Sequence, residues 1–496
     1  MSAVEIEFGQ WLPDQPEYGN SGLVEACNVY PQAKGFGPFE TPVASTATTT
    51  ETVNGAAMFF DNSSNAVVFM GSATRLATKR GGTVIETTGL TSAETWQFER
   101  FKDLVIAVAI ENDPQYLTDI DTDDTWSTLP GTPPKAAQVG RVGDFLVLGD
   151  LIDTAGSPTG AVPNRVRWSA FNNPAGNWVT DRGELSDYRD LDPRYGRVTA
   201  IVGGRFGLVF QERAIWRMVF VGAPKVFEFE LISADRGCIA ANSAVTIAAD
   251  TFFLSQDGFY RTNGSEMAPI GAERVDEWFL DAVASGSIGK THGAINWNKR
   301  CIVWGFLPSG ATTFTRQIVY NFALDKWASA AQTLDYFVTN RLSGQTLADL
   351  AVLFPGGIGT MSAYTLGHAD WQASDLAFSA FVPSGNGSAF ADMTGEAAEA
   401  EFITGDAEIS PGKRSCVTGI RPIVETQSAA ITTRVRSRAT YGGAISTTTP
   451  TTAGADRFCP HKVDDWLHSV GMTIPAGEGW DNAIGVQVRA VQTGRR

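Results

Sequence analysis

Apolar residues along this chain come in short runs. Each run meets a turn of Gly, Asp or Asn and is answered by a second run that carries an aromatic residue. The unit is plainest at residues 66–76, 207–222, 251–264 and 301–326. Within 206–218 an alternating strand turns through Gln211-Glu212-Arg213 and returns with Ile215 and Trp216. In 251–260 the same plan turns through Asp257-Gly258, a dipeptide that between such strands is a strong short-range hairpin signal. A unit recurring at roughly 40–50 residues predicts a β-propeller, each repeat being one antiparallel blade. Seven blades are expected, centred near Val68, Ile106, Val147, Val209, Phe253, Val303 and Val352, with a loop at 172–197 stretching the longest interval.

The pattern changes at both ends. Residues 1–45 read as an extended N-terminal arm punctuated by Pro and Gly, with Trp11, Leu23, Val29 and Tyr30 as apolar anchors, and a Ser/Thr-rich stretch at 41–53 separates it from the repeats. Such a segment offsets its ordering cost only by lying along another surface, so it is expected to pack with the last domain. The propeller is placed at 46–375. From 376 to 496 the strands at 396–409, 417–425, 431–440, 470–474 and 484–491 lack the blade unit, and predict a separate β-sandwich-like domain. The fold expected is therefore all-β.

Composition agrees with strands: among 496 residues there are 51 Gly, and helix formers at 3.6-residue spacing are scarce. The longest apolar runs, such as 104–110 and 350–354, are far shorter than the roughly 20 residues that cross a bilayer, so no membrane span is expected. The first 19 residues have neither a basic start nor an apolar stretch, so they do not read as a secretory signal, and folding in a cytosol is expected. Five cysteines, Cys27, Cys238, Cys301, Cys416 and Cys459, lack CxxC spacing and read as buried thiols rather than a disulfide framework or a zinc site.

The net charge of −16 is unevenly spread. Residues 409–496 hold eleven Lys and Arg against six Asp and Glu, a balance of +5, which leaves −21 on the first 408. Residues 103–124 hold seven carboxylates and no Lys or Arg, reading as a solvated loop or as a surface that faces DNA without holding it, since DNA carries a phosphate charge every ~1.7 Å. Arg434, Arg436 and Arg438 alternate on one face of a strand, reading as solvated or as a contact between subunits.

No chemistry stands out beside these charges. His292, His368, His461 and His468 have no ligand spacing, and His461 near Cys459 supplies two donors only. The glycine run 354–360 lacks the lysine and spacing of a phosphate cradle and reads as a turn. The phrase at 255–260 resembles the Asp-box turn of sialidase-like propellers, in which the Asp satisfies backbone donors of the hairpin. No pair among 54 acidic residues is singled out by spacing for glycoside hydrolysis. No catalytic, cofactor-binding or metal-ligating residue is assigned, and the chain reads as a non-enzyme.

A series of phrases, in order, carries a family resemblance. At the start stand Leu12-Pro13-Asp14, then 22–31 with Cys27-Asn28-Val29-Tyr30-Pro31, then Gly35-Phe36-Gly37-Pro38. The middle has Arg167-Trp168-Ser169-Ala170 with Asn173-Pro174 and Trp178, then 209–217 and 252–260. The end has Gly419-Ile420-Arg421-Pro422, Ile474-Pro475-Ala476-Gly477 with Trp480, and Gly494-Arg495-Arg496. Over nearly its full length the chain resembles the tail nozzle, or tail hub, proteins of short-tailed bacteriophages, also called packaged-DNA stabilisation proteins. It departs from them at Asp456-Arg457-Phe458-Cys459-Pro460-His461, where a Gly-Arg-Tyr-like phrase is expected.

The resemblance implies a structural protein of the virion tail, assembled in the host cytoplasm as a homohexameric ring. That ring would lie below the portal and its adaptor, meet tail fibres or spikes, retain packaged double-stranded DNA and pass it through its lumen on ejection. The propellers would lie outside, with the arm and last domain building the tube. The alternative is a carbohydrate-active or receptor-binding propeller, for which a clustered pocket of carboxylates and arginines is the expected mark. A WD-repeat scaffold is disfavoured, because the Gly-His and Trp-Asp signatures are missing.

Overall fold

The computed structural model describes residues 2–153, 160–176, 178–181, 183–341, 376–426, 430–454 and 457–494. It is a seven-bladed β-propeller joined to a β-sandwich. Five blades are local, with four strands in sequence order. The first runs Gly55–Phe60, Ala66–Gly71, Leu76–Arg80 and Thr83–Thr87, and the second begins with Gln97–Phe101 and Leu104–Val108. The third begins with Lys135–Val142 and Phe145–Ile152, the fourth with Val198–Val202 and Gly207–Gln211, and the fifth with Val245–Ile247 and Asp250–Ser255. The sixth, His292–Asn296 to Lys326–Ala330, has the same four strands but continues into the sandwich. First strands of neighbouring blades touch one another at six of the seven junctions, and between the fourth and fifth blades Val198–Val202 meets the 3-10 turn Ala241–Ser243, so the first strands surround the axis.

The apolar runs in the sequence are the second strands, and they are unbroken because each blade is covered on both faces. In Ala66–Gly71, Val67 and Phe69 pack toward the second blade while Val68 and Met70 pack toward the seventh. In Leu104–Val108, Val105 and Ala107 face the first blade and Ile106 and Val108 the third. Burying each large side chain of this kind contributes about 1.5–3 kcal/mol, and alternate residues on one strand hold both neighbours.

The seventh blade differs from expectation. Its strands are Tyr336–Arg341, Leu376–Ser384, Gly387–Asp392 and, from the other end of the chain, Val43–Thr48. Ala389 pairs with Thr48 and Asp392 with Val43, and Ser45 Oγ donates to the Phe390 carbonyl at 2.9 Å. The Ser/Thr-rich stretch is thus the strand that closes the ring, not a spacer. The seventh centre expected at Val352, with the glycine run 354–360, lies outside the described residues, and the boundary expected at 375 falls inside this blade. The expected loop at 172–197 contains the third blade's outer strand, Asp187–Asp190.

The arm is woven into the sandwich. Ser2–Glu7 pairs with Trp480–Gln492, which also pairs with Ser415–Thr426. Leu23–Cys27 lies between the sixth blade's outer strand and Ala400–Thr404, linking propeller and sandwich through Cys27 opposite Ser329. The opposing sheet is Ala400–Thr404, Leu467–Ile474 and Thr432–Arg438. Between the layers Phe402 stacks on Phe8 at 4.9 Å and meets Phe36 and Trp480, in a core with Val435, Met472, Val486 and Val488. The helix Asp276–Ala282 follows the fifth blade, and no described helix is long and apolar enough to cross a membrane.

Candidate functional site at the mouth of the propeller bore

One end of the bore is crossed by a polar bridge. Asn242, in the 3-10 turn Ala241–Ser243 before the fifth blade, accepts from Gln97 Nε2 and donates through Nδ2 to Thr95 Oγ1 at 3.2 Å. Beside it, Lys290 reaches Glu94 at 3.5 Å. Residues of the second blade meet residues next to the fifth and sixth only across the axis, so these contacts span the bore at this end.

The other mouth holds a cavity of about 590 Å³ formed where the first strands of four consecutive blades end. Phe59 comes from the first blade, Glu99 and Arg100 from the second, Arg141 and Asp144 from the third, and Gly203 and Gly204 from the fourth. Along Gln97–Phe101, Phe98 packs toward the first blade and Phe101 toward the third, so strand alternation sends Arg100 one way and Glu99 the other. Arg100 is committed within the fold: Nε donates to the Lys102 carbonyl at 2.6 Å, Nη2 to Asn62 Oδ1 at 3.1 Å, and Nη1 to the Phe60 carbonyl. Arg141 is less engaged. Its Nε donates to the Gly143 carbonyl at 3.0 Å, while Nη2 stands 3.8 Å from Asp144 Oδ1, beyond hydrogen-bond length.

Glu99 Oε1 accepts from the Arg100 peptide N–H at 3.0 Å. Burial pushes its carboxyl up to about 7, against the opposing pull of the Arg100 and Arg141 backbones and the Arg141 charge. Near neutral pH this group holds a proton part of the time, beside a guanidinium with donors to spare. Sequence reasoning assigned no residue here. The signal is weak because these residues end four different first strands, and their meeting follows only from the ring geometry.

The acidic stretch at 103–124 is internally organised. Arg80 meets Asp124 at 2.8 Å, Asn62 Nδ2 donates to Asp103 at 3.0 Å and to Asp121 at 2.9 Å, and Asp119 accepts from the Asp121 and Thr122 donors. Asp123 accepts from Thr118. Part of its charge is therefore matched from the first blade, through Arg80.

The three arginines do share one face, but neither reading made for them describes their surroundings. Arg434 pairs with Glu401, Arg436 with Glu17 at 3.2 Å, and Arg438 with Glu17 at 3.2 Å and with Asp406. The arm supplies Glu17, the strand Ala400–Thr404 supplies Glu401 and the segment after it supplies Asp406, so the charges are matched inside one chain.

Asp257 also departs from its expected role. It accepts from Arg236 Nε at 2.8 Å and from Tyr260 OH at 2.9 Å, whereas the hairpin's Phe259 N–H donates to Asp276 at 3.1 Å. His292 is buried and stacked on Tyr336 at 4.3 Å, and burial holds it at about 4. His461 bonds Thr433 and Thr451, and His468 bonds the Ser415 and Asp465 carbonyls. His368 lies outside the described residues. None of the cysteines is in a disulfide.

No protein-family model matches the chain, and no curated protein is similar to it in sequence. Among solved structures it is similar to BamB from Moraxella catarrhalis, at 11% identity and a TM-score of 0.36, over 70% of this chain and 95% of that one. It is also similar to the extracellular domain of a putative hybrid two-component system from B. thetaiotaomicron, at 10% identity and a TM-score of 0.38. That likeness covers 86% of this chain but 47% of the other, so this chain spans about half of its length. The propeller is established by the chain's own seven sheets.

Proposed function

We propose that this chain is a tail nozzle of a short-tailed bacteriophage, a structural subunit whose copies form a ring that retains double-stranded DNA and conducts it on ejection. The observation that carries this reading is where the resembling phrases lie. Leu12-Pro13-Asp14, Asn28, Gly35-Phe36-Gly37-Pro38 and Trp480 are separated by up to about 470 residues of sequence, yet they interlock in one body. Asp14 accepts from the Glu277 and Trp278 N–H groups at the start of the helix, Asn28 donates to the Glu399 carbonyl, and Phe36 and Trp480 both meet Phe402. A family pattern scattered along the chain is what a shared body of this kind would produce.

The bridge across the bore limits the mechanism. DNA does not thread a single propeller past Asn242, so a conduit is formed between copies, with the propellers as rigid supports. An acidic wall would leave DNA free to slide, since it offers no counterions to release from the phosphates. Imaging of the purified protein by negative stain is expected to show six-fold rings with a central hole. A chain that stays monomeric at high concentration and does not add to genome-filled, tail-less capsids overturns the reading.

The second reading, a receptor-binding or carbohydrate-active propeller, is favoured by the carboxylate and guanidinium groups gathered at the open mouth. Saturable binding or cleavage of host surface glycans by the purified chain tests it.

A further inference from the structure

We infer that the open mouth of the bore is a saccharide site selective for a sugar bearing a carboxylate, which Arg141 receives while Phe59 faces the ring and Glu99 and Asp144 meet its hydroxyls. This ligand class rests on the second reading of function and is independent of ring assembly.

The cavity of about 590 Å³ falls within the roughly 300–1,000 Å³ of small-ligand sites. Its charges are divided by what the fold already uses. Arg100 spends its donors on Lys102, Phe60 and Asn62, so it shapes the wall rather than binding. Arg141 retains Nη1 and Nη2, the planar pair that meets a carboxylate with two parallel hydrogen bonds. The nearest acid, Asp144, is an ion-pair neighbour of Nη2 at 3.8 Å but takes no hydrogen bond from it. Arg100 bonds only neutral oxygens, so its charge counts with that of Arg141 against Asp144 and a part-protonated Glu99, a small positive excess that one ligand carboxylate offsets. A phosphate dianion would face Glu99 and Asp144 with too little compensation.

The groups left over suit hydroxyls rather than a second ion. Glu99 carries a proton part of the time near neutrality, so its carboxyl serves as donor or acceptor. Asp144 is half-exposed at the rim and accepts. Phe59 is partly buried against the core between the first and second blades and lines the cavity. As pH rises through about 7, Glu99 gains a negative charge next to the bound carboxylate, so affinity falls. The charged groups facing Glu99 are Arg100 on its own strand and Arg141 and Asp144 from the third blade.

The test is calorimetry on the full chain with methyl β-glucuronide, methyl β-glucoside and acetate, at pH 6 and pH 8. The expected result is saturable millimolar binding of the glucuronide at pH 6, weaker at pH 8, with the glucoside and acetate each at least about tenfold weaker, a difference of about 1.4 kcal/mol. Arg141→Ala is expected to lose this preference, and Arg141→Lys to retain only part of it, because the ammonium cannot pair bidentately. Glu99→Gln keeps a neutral donor and acceptor, so it retains binding and removes the pH dependence. Equal binding of glucuronide and glucoside, untouched by Arg141→Ala at unchanged thermal stability, overturns the carboxylate assignment and leaves the saccharide reading standing. Equal binding of acetate overturns the sugar part. Absence of binding by both sugars overturns the site, while the second reading stands or falls separately on binding or cleavage of host surface glycans, and rings seen by imaging remain a separate result.

Discussion

Asn242 donates to Thr95 at 3.2 Å across the axis of the propeller, joining blades that are three places apart in the ring. With the Gln97 amide on its carbonyl oxygen, one side chain ties the second blade to the turn before the fifth. Asn242→Ala removes both bonds, each worth about 1 kcal/mol net, and leaves the blade cores untouched. The expected outcome is faster hydrogen exchange at 94–97 and 241–243 with little change in the melting temperature. Unchanged exchange at both segments would show that the bridge does not form in solution.

Ring closure depends on Val43–Thr48, where Ala47 is 5% exposed against the seventh blade and Val43 is 51% exposed. Ala47→Asp buries an unpaired carboxylate, which costs several kcal/mol, whereas Val43→Asp leaves its charge in water. Ala47→Asp is therefore expected to expose 43–48 and 387–392 to limited proteolysis, with Val43→Asp close to wild type. Equal cleavage patterns for the two variants would count against closure by this strand.

The arginine strand allows a graded comparison. Arg438 is 8% exposed at its side chain and meets Asp406, itself 5% exposed, whereas Arg434 and Glu401 are 29% and 37% exposed. Removing one partner of a buried pair costs about 3–5 kcal/mol, because the other charge is left behind, and an exposed pair is worth about 0–1 kcal/mol. Arg438→Ala should lower the denaturant midpoint of the sandwich strongly, and Arg434→Ala barely. A reversed order would mean that Asp406 finds another partner or opens to water.

How legible these features are in the sequence follows from how far apart the partners lie. The six described centres, Val68, Ile106, Val147, Val209, Phe253 and Val303, all fall on second strands, because each of those strands is buried along nearly its whole length and so reads as an unbroken apolar run. The first strands carry a mixture of small, polar and aromatic residues and announce little. Val43–Thr48 has one buried residue among six, and its partner lies about 340 residues away, so no local pattern marks it. The alternation of Arg434, Arg436 and Arg438 gave their common face but not the acids opposite, which come from the arm and from the segment around Asp406. At the bore mouth each residue is ordinary in its own strand, and only the ring brings Glu99 to Arg141.

Asp276 offers a test by pH. It lies below the Asp257-Gly258 turn, where a side chain at Gly258 would occupy the space its carboxyl fills, and Gly258 itself sits at φ +135°. Burial pushes Asp276 up to about 7 from the ordinary 3.8, opposed by the Phe259 N–H and assisted by the charges of Asp14 and Asp257. Between those two values the folded chain holds a proton that the unfolded chain has lost. Stability from this group is therefore full below pH 3.8, falls as pH rises, and levels off above about 7. Asp14, which caps the helix beside it and is itself raised by burial, adds to the same trend. Asp276→Asn keeps an oxygen for Phe259 N–H and removes the titration, so its melting temperature at pH 8 should match or exceed that of the wild type. Its pH dependence between 5 and 8 should also be shallower. A variant whose stability falls with pH as steeply as the wild type would place the titration elsewhere, with Glu99 the next group to replace.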